Sequence, residues 1–224
     1  LNAFLKATAL FPLLMVLTSC HKATPPELDA FRRLPGDRSA AWQVDVASLR
    51  RGLLPLPAEL SGVERVSGVI AGNHHAYAIF EPGAAPAKLA PPPGSAGNAP
   101  DISTVPAGAQ FWMVAEPRAF ATNSGTITLT FGKTTIDLPG ELVSRATQLT
   151  ASGHAGAAGM DLTIDTEYSD AADPARLAPS VAGVLKLARG IDTQVAAQGN
   201  HIVIHGKVGA AEAGKLLWNW MAKE

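Results

Sequence analysis

Apolar and polar positions alternate at several points along the chain, and each such stretch has the length of a strand. In Thr126-Ile127-Thr128-Leu129-Thr130-Phe131 the apolar side chains fall on one side and three threonines on the other, the period of a half-buried strand. Gly132-Lys133 turns this segment into a second strand over 134–138. Residues 42–46 alternate in the same way, and 110–115 and 160–168 add two further strands. Strands at 66–71 and 74–80 flank Gly72-Asn73, and strands at 193–198 and 201–206 flank Gly199-Asn200. A two-residue Gly-X link of this kind closes an antiparallel hairpin.

Between the strands the period changes to that of a helix. Residues 47–60 carry apolar positions in short helical pieces broken by Pro55 and Pro57, and Leu142, Val143, Ala146 and Leu149 predict a short amphipathic helix after Gly140. Asp173-Pro174 offers an N-cap and a first-turn proline for a helix carrying Leu177, Val181, Val184, Leu185 and Ala188 on one face, stopping at Gly190. Pro179 should kink that helix or delay its start. A closing helix over 210–222 buries Ala213, Leu216, Leu217 and Trp220, and leaves Trp218 to cover the sheet edge or the first module or, exposed, to anchor a partner. The stretch 90–108, rich in Pro and Gly, has no period and reads as a flexible connector.

Two segments echo each other. Gly72-Asn73-His74 and Gly199-Asn200-His201 match, and each is followed by a strand and a similar Ala/Gly-rich piece, at 83–89 and 209–216. A β-α-β-β unit used twice accounts for this. The expected fold is α+β, with antiparallel sheets and helices on one face. Its divisions are a leader at 1–19, a tether and lead-in at 20–37, a first module at 38–89, the connector at 90–108, and a second module with a hairpin insertion at 109–224. This arrangement resembles, in pattern only, uncharacterised exported bacterial proteins with repeated α+β modules.

Composition narrows the function classes. Of 224 residues, 18 are Lys or Arg and 19 Asp or Glu, so there is no basic excess with which to neutralise phosphates, and nucleic acid is not an expected partner. A single cysteine, Cys20, excludes an internal disulfide or a Cys-rich metal centre within this sequence.

That cysteine closes an apolar run over 7–18 that follows Lys6. The run is too short for a bilayer core, which takes about 20 residues, but it suits the hydrophobic region of a secretory leader. Leu17-Thr18-Ser19-Cys20 resembles the lipobox of bacterial lipoprotein precursors: a branched apolar residue, two small residues, then the invariant cysteine. The resemblance implies that the Cys20 thiol receives a diacylglycerol, that signal peptidase II cuts before it, and that the new amino group is acylated. Two or three acyl chains hold a protein durably where one does not. His21 stands where an inner-membrane retention signal would place Asp, which implies the outer membrane in a two-membrane cell. Residues 22–26, ending in Pro25-Pro26, then form an extended tether.

Candidate chemistry in the remaining chain is sparse. Residues 209–216 have the glycine and lysine spacing of a P-loop, but Leu216 replaces the hydroxyl that would hold magnesium, so they read as a glycine-punctuated helix start. Among the histidines, His74 and His75 point to opposite sides of a strand, while His201 and His205 share a side about 13 Å apart. Packing of the two repeats would bring His74 and His201 together with His154, the weak candidates for a metal set. No metal or cofactor is expected, because no local ligand pair such as HExxH occurs. Asp161, Asp165, Glu167, Asp170 and Asp173 lack the central glycine of a calcium loop and read as a strand exit and helix cap. No Gly-x-Ser-x-Gly elbow is present.

The sequence therefore predicts a non-enzymatic, lipid-anchored protein of the cell envelope, facing the periplasm or the outside. Its α+β modules would bind or scaffold an envelope partner, with the membrane engaged through Cys20. The alternatives are a carrier of an apolar ligand between sheet and helices, which a cavity above about 300 Å³ would favour, and a hydrolase with dispersed catalytic residues, which a concave cluster of His74, His154, His201 and a carboxylate would favour.

Overall fold

The computed structural model describes residues 28–52, 55–56, 58–72, 75–120, 126–131, 134–156, 158–186, 191–210 and 213. Its strands are β1 (Arg38–Asp45), β2 (Arg65–Ala71), β3 (Ala76–Glu81), β4 (Phe111–Ala115), β5 (Thr126–Phe131), β6 (Thr134–Pro139), β7 (Ala146–Gly156), β8 (Gly159–Tyr168), β9 (Ile191–Gln198) and β10 (His201–Val208). The α-helices are α1 (Val46–Arg51), α2 (Glu141–Ser144) and α3 (Ala172–Leu185). Eight strands form one sheet in the order β3-β2-β1-β4-β7-β8-β10-β9, and β5 and β6 pair separately. Every neighbouring pair is antiparallel. The fold is α+β, as the alternation of periods requires.

The two parts of the chain meet where β1 pairs with β4, from Ala40 opposite Ala115 to Val44 opposite Phe111. Cross-strand register carries one apolar row from there across the sheet. Trp42 faces Met113, Met113 faces Ala151, Ala151 faces Ile164, Ile164 faces Ile204, and Ile204 faces Val195. Side chains alternate between faces, so this row defines the face that the helices cover. At one end Trp42, Val44, Val66, Phe80 and Phe111 pack with Val46 and Leu49 of α1, and with Met160, Val208 and Ala213. At the other end Leu177, Ala178, Val181 and Leu185 of α3 pack with Tyr168, Ile202, and Leu142 and Val143 of α2.

The opposite face is covered over only part of its width. Ala41, Val69 and Trp112 are buried there beneath Phe31 and Leu34, supplied by a 3-10 turn at Asp29–Arg33. Ile102 and Val105 pack onto the same cluster. The stretch 90–108 is therefore not a flexible connector. It lies along the sheet, with the Gly97 N–H donating to the Arg32 carbonyl at 3.3 Å and the Thr104 hydroxyl 2.8 Å from that of Thr150. Irregular backbone docks here because a few apolar residues close a face that β1 and β4 could not leave in water.

The prediction of a helix over 142–149 is also corrected. α2 is a single turn, and 146–156 is the long strand β7, between β4 and β8. Its Ala, Ser, Thr and Gly residues carry little strand signal, and packing explains the small ones: a Cβ on Gly153 would overlap the Phe111 ring, as one on Gly68 would overlap the Trp42 indole. α3 ends at Leu185, short of Gly190, and runs through Pro179.

The two units keep one element order, β1-α1-β2-β3 and β8-α3-β9-β10, but differ in topology. The six-residue α1 returns the chain to the adjacent strand β2, whereas the 14-residue α3 carries it past β10 so that β9 forms the sheet edge. The predicted turn residue Asn73 and strand residue His74, the leader with Cys20 and His21, and Trp218 and Trp220 of the predicted closing helix lie outside the described residues.

Gly153→Ala forces the Phe111 ring out of place. We expect a loss of about 1–3 kcal/mol of folding free energy, read as a lower urea midpoint with an unchanged slope.

Candidate functional site

Beyond β4 the face opposite the helices carries mainly polar side chains. On β8 it presents Asp161, Thr163, Asp165 and Glu167, on β10 His201, His205 and Lys207, and on β9 Asp192 and Gln194. These positions alternate with the apolar row, so the local period that buries Ile164 and Ile204 also displays them. His201 Nδ1 lies 2.8 Å from Asp165 Oδ1, and His205 Nδ1 3.1 Å from Thr163 Oγ1. Lys207 Nζ is 3.8 Å from Asp161 Oδ1. Asp161, Thr163, Asp192, Gln194, His205 and Lys207 border a shallow depression of about 290 Å³.

The structure does not gather the histidines. His154 on β7 pairs with Asp161, and His201 with Glu167, six residues further along β8 and so roughly 20 Å away. His75 lies elsewhere, its Nε2 3.1 Å from the Lys88 carbonyl. His74 is outside the described residues, and among those described no three His, Cys, Asp or Glu side chains are grouped to hold a metal. Chemically the face is an array of donors and acceptors. Each exposed pair contributes little to stability by itself. Thr163, Asp192, Gln194 and Lys207 were not singled out in the sequence, although the alternation at 161–167 and 201–207 carries the signal.

The acidic cluster divides between two tasks. Asp161, Asp165 and Glu167 belong to the open face. Asp170 Oδ1 accepts from the Ala172 N–H at 2.9 Å in the turn that leads into α3, whose N-cap is Ala171 with no side-chain cap bond, so Asp173 is not the N-cap the sequence predicted. Asp173 lies within the helix at 5% exposure, and Arg145 Nη1 and Arg176 Nη2 each donate to it at 3.1 Å. Desolvation pushes its carboxyl up, but the hydrogen bonds and charges of the two arginines outweigh that and hold it below the usual carboxylate range. The buried Tyr168 hydroxyl donates to the Leu142 carbonyl at 3.1 Å, and burial, with the Asp173 charge adding, pushes its pKa up to about 12.

The sheet order and the helices on one face define the class: an α+β protein built on a single broad antiparallel sheet. Among solved structures, crystal form I of TP0453 has this fold, with a TM-score of 0.52 and 10% identity over 88% of this chain and 100% of that one. Crystal form IV of TP0453 gives a TM-score of 0.45 at 9% identity, over 85% and 96% of the two chains. No protein-family model and no curated protein matches the sequence. Among the described residues no helix is long and apolar enough to cross a membrane.

The pH dependence of stability follows from the two shifts. Tyr168 is harder to ionise when folded, so its contribution is complete below pH 10.0 and is lost as pH rises toward about 12. Tyr168→Phe should flatten that alkaline limb in thermal melts. Asp173 has the opposite sign: its contribution is present above the ordinary carboxylate pKa and is lost as pH falls through its depressed value. Asp173→Asn should flatten the acid limb while lowering the midpoint at neutral pH.

Proposed function

We propose that this is a lipid-anchored protein of the cell envelope, held to a membrane through acylated Cys20, whose open polar sheet face serves as a non-catalytic binding or scaffolding surface. The observation that carries this reading is the uneven cover of one face of a continuous sheet. Over β1, β2 and β4 that face is sealed by Phe31, Leu34, Ile102 and Val105, whereas over β8, β10 and β9 it is polar and exposed. A broad, hydrogen-bonding surface suits docking of a partner confined to the same envelope space. The Leu17-Thr18-Ser19-Cys20 pattern supports the anchor. The depression on this face is bordered by Asp161, Thr163, Asp192, Gln194, His205 and Lys207, which suits contact with a polar partner.

Cys20→Ala tests the anchor. The unaltered protein should sediment with membranes and carry acyl mass on its mature N-terminus, while the variant should appear in the soluble fraction. A variant that still resists a carbonate wash, or native material with a free thiol and an intact leader, overturns the anchor. For the surface, Lys207→Glu combined with Asp192→Lys reverses charge on exposed strand positions without touching the core. Crosslinking in the native envelope should then lose the captured partner, and capture unchanged by the double variant overturns the assignment of this face.

A further inference from the structure

The eight-stranded sheet ends in two edges, β3 and β9, and they differ. Beside β3 the chain turns back after Pro82: Ala87–Leu89 lies against the strand, Leu89 is buried with Phe80, and His75 Nε2 is 3.1 Å from the Lys88 carbonyl. β9 pairs with β10 alone, and among the described residues no segment hydrogen-bonds to its outer side. Gln198 and His201 flank the two-residue Gly199-Asn200 turn, so they form a hydrogen-bonded pair, as do Ala196 with Val203, Gln194 with His205 and Asp192 with Lys207. The other side of β10 keeps this phase, with the Tyr168 N–H donating to the Asn200 carbonyl at 2.8 Å. The N–H and C=O groups of Thr193, Val195 and Ala197 therefore point away from the sheet.

This outer side is accessible and unguarded. Asp192, Gln194, Ala196, Ala197 and Gln198 are exposed, and the strand runs without a bulge and holds neither Pro nor Lys, the usual means of blunting an edge. Outward donors and acceptors take another strand, and the side chains select which one. A second copy of β9, antiparallel about a two-fold axis at Val195, fits its own sequence. Thr193 then pairs with Ala197 of the other copy and Val195 with its counterpart, giving about six backbone hydrogen bonds. On the polar face Asp192, the only charge on β9, falls opposite the Gln198 amide, and Gln194 opposite Ala196, so no like charges meet. On the helix face Val195 meets Val195, which continues the apolar row that reaches it through Ile204.

We propose that β9 is a homotypic interface, at which two copies of the chain join edge to edge and their sheets become one. A seam one strand wide buries less surface than a stable dimer needs, so the association depends on concentration. It rests on neither the acylation of Cys20 nor a partner on the polar face.

Cysteines placed across the seam of the full chain test this. Gln194→Cys and Ala196→Cys change exposed positions that face each other in the pairing, whereas two copies of either one lie diagonally, beyond disulfide reach. Coexpressed with different tags and mildly oxidised, the two variants should give a mixed disulfide dimer at about fivefold or more the yield of either alone. Yields are read above that of the unaltered chain, so a free Cys20 thiol, which would overturn the anchor, raises only the background. Thr193→Pro removes an outward N–H and none bonded to β10, and in these chains it should cut the mixed dimer about tenfold. Amide exchange gives a second measure on the unaltered chain. Thr193, Val195 and Ala197 should slow about tenfold or more between about 10 μM and 1 mM, while Gln194 and Ala196, already bonded to β10, should change little. The proposal is overturned by a mixed dimer no more abundant than the background or than either variant alone, or by an equal yield when Asp161→Cys replaces Ala196→Cys. Outward amides indifferent to concentration, or a different protein occupying this edge, overturn it as well.

Discussion

The ladder between β1 and β4 is the constraint on which the other features depend. These strands join the two halves of the chain, and residues on both faces of each are buried. Trp42 and Phe111 lie toward the helices, Ala41 and Trp112 toward the 3-10 turn and the 90–108 segment. A strand buried on both sides must be covered on both sides and must find room for its large rings. The glycines at 68 and 153, on the neighbouring strands, supply that room, and α1 and the irregular segments supply the cover.

Cover of this kind extends only as far as the apolar residues that hold it down. Ile102 and Val105 are half-buried against the cluster, and between them Thr104 makes a hydroxyl contact to Thr150 and accepts a hydrogen bond from Gln148 Nε2 at 3.0 Å, both residues being on β7. Past that rim the same face carries Asp, His, Thr and Lys side chains at alternate positions and needs no lid. One sheet thus has a face that is core at one end and surface at the other.

Legibility in the sequence followed the strength of the local pattern. Strands rich in β-branched and aromatic residues, and the hairpins closed by Gly-X turns, are visible from alternation alone, as is the display of His201 and His205 on one side. The partners of those histidines are not, because Asp165 and Thr163 are brought to them by register between β8 and β10. β7 is missed for a similar reason. Its composition suits the space left by its neighbours, and that space exists only once Phe111 is in place.

By itself the chain's sequence determined the α+β class, most strand positions and the helix over α3, since each depends on residues close together along the backbone. The tertiary structure decided that both halves share one sheet, that a Pro- and Gly-rich stretch serves as a lid, that two β-α-β-β units take different strand orders, and which charged groups meet. Those outcomes depend on pairing and burial between residues distant in sequence, where the length of a connecting helix or the volume of a facing ring, rather than local periodicity, selects the arrangement.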